Sequence, residues 1–98
     1  MPETRVRVRW PDDSVMRCYS PSLVIKKFFI VGQAYPLIDF VKRSREALTL
    51  ASERVNQAFG HQCLLAANQL VEIEETAARF GATPEAMVTV EGFEDFDR

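Results

Sequence analysis

Apolar and polar residues alternate strictly through Thr4-Arg5-Val6-Arg7-Val8-Arg9-Trp10, the period of a half-buried β-strand. Val6, Val8 and Trp10 fall on one face, and Arg5, Arg7 and Arg9 on the other. Pro11-Asp12-Asp13-Ser14 follows. Proline sets φ for the second position of a type I turn, and aspartate suits the third. Asp13 then takes the left-handed position, which aspartate tolerates better than most residues. The chain returns as a second strand over Val15 to Tyr19. Pairing Trp10 with Ser14 sets Val8 opposite Met16 and Val6 opposite Cys18 on the core side. It sets Arg9 opposite Val15, Arg7 opposite Arg17 and Arg5 opposite Tyr19 on the outer side. A slip of one residue would turn Val6 and Val8 to solvent, so burial favours this register.

Ser20-Pro21-Ser22-Leu23 reads as a helix start, with Ser20 as cap and Pro21 at the first helical position. A short helix to about Phe28 follows, although Val24, Ile25 and Phe28 to Val31 also suit a strand. The next pattern is longer. Pro36 opens a helix in which Leu37, Phe40, Val41, Ser44, Leu48, Ala51, Val55 and Phe59 recur at three- and four-residue steps. Gly60 is its natural stop. A second helix runs from about Gln62 to Phe80, with Cys63, Ala66, Ala67, Leu70, Ile73, Ala77 and Phe80 inward. If Gly60 only bends the chain, the two become one kinked rod. Met87 to Phe93 form a third strand with Val88 and Val90 inward and Thr89 and Glu91 outward. Residues 94–98 read as a loose acidic tail. The predicted class is α+β in two layers, in the order β-β-(short α)-α-α-β. A small sheet, made of the N-terminal hairpin and the C-terminal strand, packs on an antiparallel helical hairpin.

The chain has 98 residues, which bounds it to a single domain over residues 1–98. It is 47% hydrophobic and 27% charged, which excludes disorder as the main reading. No apolar run approaches the ~20 residues of a membrane-spanning helix. Met1-Pro2-Glu3-Thr4-Arg5 carries no apolar signal segment, so a cytoplasmic location is expected. Charge is uneven: residues 1–60 hold ten Lys or Arg against six Asp or Glu, and residues 61–98 hold two against eight. An acidic pI near 5.4 argues against nucleic acid as the main partner. The asymmetry suggests instead that the halves attract one another, within a chain or between chains.

Candidate chemistry is thin. Cys18 and Cys63 are expected as small buried thiols rather than a disulfide. His61-Gln62-Cys63 sits at the start of the second helix, where the dipole favours a thiolate, and Ser20 lies near a possible pocket between sheet and helices. Cys63, His61 and Ser20 are therefore the pocket candidates for a small enzyme or ligand-binding protein, but no motif assigns them a catalytic role. His61, Cys63 and Cys18 fit no zinc spacing, and Glu72, Glu74 and Glu75 lack the inward Glu-x-x-His of a di-iron helix. The four glycines are isolated, so no phosphate cradle is expected. No catalytic residue, metal or cofactor is predicted.

Five stretches together resemble a family of small bacterial nitrogen-starvation-response proteins encoded beside a nitrilase in a recurrent gene cluster. They are Arg9-Trp10-Pro11-Asp12, Cys18-Tyr19-Ser20-Pro21-Ser22-Leu23, Tyr35-Pro36-Leu37, Ala51-Ser52-Glu53-Arg54-Val55 and Gly60-His61-Gln62-Cys63. The resemblance covers about residues 1–93, and departs at Asp13, where the family pattern has Gly. It implies a cytoplasmic accessory protein; the absence of a catalytic constellation and the charged outer face of the sheet make a non-enzymatic binding module the first expectation. The neighbouring genes in such clusters also encode a radical-type iron–sulfur enzyme, an acetyltransferase and a flavoprotein. The expected partner is a cluster enzyme or, from the charge pattern of the sheet's outer face, a second copy of the chain, a dimer being favoured.

The outer face of the sheet is the candidate interaction surface: Arg5, Arg7, Arg9 and Arg17, with Glu91. Arg7 directly opposite Arg17 is destabilising unless something screens or covers the pair. Water and salt can do so. So can an acidic segment, of which Glu91-Gly92-Phe93-Glu94-Asp95-Phe96 is the best candidate, from the same chain or from a second subunit; a partner enzyme is the third option.

Overall fold

A computed structural model describes residues 2–60 and 63–97. The N-terminal hairpin forms as its alternation predicts, with β1 over Glu3–Arg9 and β2 over Val15–Ser20. All six paired positions match the expected register, including Val6 with Cys18, Val8 with Met16 and Arg7 with Arg17. The turn closes through Trp10 N–H to Ser14 O at 2.8 Å and Asp13 N–H to Trp10 O at 2.9 Å. Asp13 has φ of 69°, the left-handed conformation expected of it. Its carbonyl accepts from Arg9 Nη1 at 3.0 Å.

The short helix is a 3-10 helix over Leu23–Lys27, and its cap is Ser22 rather than Ser20. Ser22 Oγ accepts from Val24 N at 3.2 Å. Ser20 is instead the last residue of β2; it is fully buried, and its Oγ donates to Ser22 O at 2.7 Å. Ser20 Oγ still accepts from Ser22 N at 3.4 Å, but the helical turn begins only at Leu23, so the cap falls to Ser22.

A strand not foreseen, β3 over Ala34–Pro36, precedes α1 over Leu37–Phe59. Pro36 stands at the N-cap, and Gly60 ends the helix at φ of 76°, where only glycine is unstrained. The second helix, α2, spans Leu64–Ala78. Arg45 in α1 bonds Glu74 in α2 at 2.8 Å, while Asn56 and Ala66 line a common cleft, so the helices run antiparallel as a hairpin and not as one rod. Ala66, Ile73 and Ala77 are buried as expected, but Phe59 and Ala67 are exposed. Gln69 and Thr76 take inward places instead.

The last strand, β4, spans Met87–Phe96, so Glu94, Asp95 and Phe96 are not a loose tail. The four strands lie in the order β2-β1-β4-β3, every pair antiparallel. The class is α+β, with the helical hairpin and the 3-10 helix on one face of the sheet. Beneath that face runs a row of rings. Phe80 stacks on Trp10 at 6.1 Å, Trp10 meets Phe40 edge-on at 5.4 Å, and Phe40, Phe29 and Tyr35 continue it at 5.4 and 5.5 Å. Val6, Val8, Val88, Val90, Ile73 and Leu48 pack around the row.

Both outermost strands are blunted in part. Gln33 and Leu37 bond toward β4, at Val90 and Ala86, so alternation turns the Ala34 N–H outward, and Pro36 has none to offer. At β2 the outward amide of Tyr19 donates to Gln69 Oε1 at 2.9 Å. This explains an amide side chain on the inner face of α2. We expect Gln69→Leu to cost about 1–2 kcal/mol by stripping a part-buried N–H of its acceptor. Urea unfolding measures the loss, and amide exchange at Tyr19 should quicken with it.

Candidate functional site

The sheet has one face free of helices, and the strand order decides what stands on it. Because β4 lies beside β1, the acidic segment expected to cover the arginines comes from the same chain. A bulge makes the fit. Val8 pairs with Val90 and Arg7 pairs with Gly92, which leaves Glu91 as an extra residue between them. Strict alternation would send Glu94 to the same side as Val88 and Val90. The extra residue resets the period, so Val90 and Phe93 both face the core, while Glu91 and Glu94 both reach the arginines.

The result is a continuous chain of charges across three strands. Arg9 Nε bonds Glu91 Oε2 at 2.9 Å, and Arg7 Nε stands 3.4 Å from Glu91 Oε1. Arg7 Nη1 stands 3.7 Å from Glu94 Oε2, and Arg17 Nε bonds Glu94 Oε1 at 2.9 Å. Glu94 thus reaches over β1 to a residue of β2. It resolves the cross-strand repulsion between Arg7 and Arg17 by sitting between them. Arg5 differs: its guanidinium lies 4.3 Å from the Phe96 ring centroid. On the inner side, Lys26 Nζ bonds Asp95 at 2.6 Å, tying the end of β4 to the 3-10 helix.

Electrostatics follow this geometry. The hydrogen bond from Arg9, and then the charges of Arg9 and Arg7, hold the Glu91 carboxyl below its ordinary range. Lys26 does the same for Asp95. Carboxyls with lowered folded pKa stabilise the fold above their unfolded pKa, and that contribution is lost as pH falls through the folded values. Stability should therefore decline from about pH 4.5 downward as these pairs break. Each exposed pair is weak alone and screened by salt. Arg7→Glu with Arg17→Glu removes three contacts of the chain and sets new carboxylates against Glu91 and Glu94. We expect its melting temperature to fall by on the order of 5 °C at low salt. The loss should shrink in 1 M salt, where the Debye length is ~3 Å. A full swap, with Glu at 7, 9 and 17 and Arg at 91 and 94, should restore most of it.

The pocket candidates do not converge. Ser20 is fully buried and bonded to Ser22, Cys63 is half-buried at the N-cap position of α2, and His61 lies outside the described residues. Cys18 is buried under the sheet, where loss of solvent and the charge of Glu72 push its thiol up to about 12. Among the described residues, no three His, Cys, Asp or Glu side chains are placed to hold a metal ion. No described helix is long and apolar enough to cross a membrane. The sequence points to the segment containing Glu91 and Glu94 as the cover, but not to the bulge at Glu91 that brings both carboxylates to one face. The glycine beside Glu91 was the signal, because glycine inside a strand marks a bulge or a close approach.

The family of nitrogen starvation-induced proteins known as NitG matches residues 5–93. This chain belongs to the NitG family. The match spans the hairpin, both helices and β4 through Phe93, so it includes the bulge and the arginines. No curated protein and no solved structure matches the chain.

Proposed function

We propose that this NitG-family protein is a non-enzymatic accessory protein that acts during nitrogen starvation by docking on another protein. The carrying observation is the open face of the sheet, where five side chains from Arg9 to Arg17 form an ordered alternation of charge. Held on β-strands, these groups lose little freedom on contact, and an ordered charge pattern selects a partner by complementarity. The partner is an enzyme of the nitrogen-metabolism gene cluster that the family resemblance implies, or a second copy of the chain. Because Glu91 and Glu94 already pair the arginines within one chain, a partner must match the alternation rather than simply supply negative charge. The test is binding of each co-encoded enzyme to the wild type and to the five-position charge swap. The swap keeps the internal pairs and inverts the pattern that a partner meets. Loss of binding on the swap supports the reading; equal binding by both proteins rejects it.

A further inference from the structure

A cavity of about 290 Å³ flanks the free edge of β2, with the sheet on one side and α2 on the other. Arg5 and Tyr19 line it from the sheet, and Leu65, Asn68, Gln69 and Glu72 line it from the helix. Of the four arginines on the outer face, Arg5 alone has no carboxylate partner among the described residues. Stacking on Phe96 holds its plane while its N–H fork stays unpaired. Glu72 likewise has no ion-pair partner among the described residues; the side-chain bond at this residue, from Thr76 Oγ1 at 2.8 Å, goes to its backbone carbonyl and not to its carboxylate. Two opposite, unspent charges therefore border one cavity. Its wall is fixed by Gln69, whose Oε1 is held by the Tyr19 amide and whose Nε2 lies 4.0 Å from Met16 Sδ.

We infer that this cavity binds a small zwitterion, an α-amino acid, with its carboxylate on Arg5 and its ammonium on Glu72. A simple anion would meet Glu72 and the nearby Glu3 carboxylate, and a simple cation would meet Arg5. Only a ligand that carries both charges engages both walls. A planar guanidinium is suited to a carboxylate, which it can grip at two oxygens. The volume is at the small end of ligand sites, right for an amino acid and too small for a nucleotide. Leu65 offers an apolar wall to the ligand's side chain, and the Asn68 amide, free of hydrogen bonds to described residues, offers a polar one. This site is separate from the charge chain from Arg9 to Arg17, and it stands or falls independently of docking there.

The test is ¹⁵N–¹H NMR titration of the full chain with leucine and with glutamine, each alone. Saturable shifts are expected at the amides of Tyr19, Leu65 and Gln69, with affinity on the order of millimolar for so open a site. Arg5→Gln and Glu72→Gln should each weaken binding about tenfold or more, and circular dichroism checks that both variants fold. Leucinamide, which lacks the carboxylate, should bind weakly and should lose nothing on Arg5→Gln, gaining affinity as the like charge is removed. N-acetylleucine, which lacks the ammonium, should bind weakly and should lose nothing on Glu72→Gln, gaining affinity for the same reason. No saturable shift with either amino acid, equal affinity in both variants, or tighter binding of N-acetylleucine than of leucine would each overturn the proposal.

Discussion

Trp10→Ala is expected to destabilise the protein by about 3–5 kcal/mol, a large share of the ~5–15 kcal/mol that holds a domain together. Trp10 is 2% exposed and is the hub of the ring row, stacked on Phe80 and edge-on to Phe40. It joins three separate pieces of chain: the end of β1, the first turns of α1 and the segment after α2. Truncation to alanine leaves a void that neither helix can close without leaving the sheet. Trp10→Phe should cost far less, under about 1.5 kcal/mol, because a ring remains. It also removes the indole N–H, a buried donor with no partner among the described residues. Urea unfolding followed by circular dichroism measures both variants. Equal losses would mean that the ring row is not what couples the sheet to the helices.

Alkaline pH should unfold the protein through Cys18. Burial, and then the charge of Glu72, raise this thiol from 9.0 to about 12 in the folded state. A folded pKa raised above the unfolded value means that the unfolded chain loses its proton first. The contribution of the thiol is complete below pH 9 and is lost as pH climbs toward 12. At about 1.4 kcal/mol per unit, that is on the order of 4 kcal/mol across the window. The comparison is with Cys18→Ala, which isolates the contribution of this thiol. That variant starts less stable at neutral pH but should show a flatter decline above pH 9. Parallel curves for the two proteins would contradict the assignment. Thiol reagents should reach Cys18 only through unfolding, and Cys63 before it.

Much of this fold is legible residue by residue. Val6, Val8 and Trp10 cannot all be buried unless the hairpin takes one register, and Pro11 to Ser14 admit one turn, with Asp13 left-handed as expected. Pro36 and Gly60 bracket α1 because each suits only its own end of a helix. What escaped has physical reasons too. β3 is three residues long and ends in proline, so no periodicity can announce it; it exists because β4 offers it an edge. Gln69 and Thr76 read as surface residues until the edge amide of Tyr19 and the Glu72 carbonyl are there to receive them. The candidate site was half legible. The like-charged pair of Arg7 and Arg17 needs screening by water and salt or an acidic cover, and among the covers the segment from Glu91 to Phe96 was the right one. Which chain supplies it depends on strand order, and alternation within each strand carries no information about that. The bulge then decides that Glu91 and Glu94, three residues apart, share one face.

On the proposed function, a partner docks on the outer face of the sheet and reads its ordered charge pattern. Light scattering tests this: the mass of the protein in solution, alone and mixed in turn with each cluster enzyme proposed as a partner, at low and high salt. The same series is run with the five-position charge swap. The account predicts a discrete added mass, either a dimer or a complex with one enzyme, that weakens as salt rises and is absent for the folded swap. A wild-type protein that stays monomeric and unbound throughout would contradict it, as would a complex that the swap forms equally well.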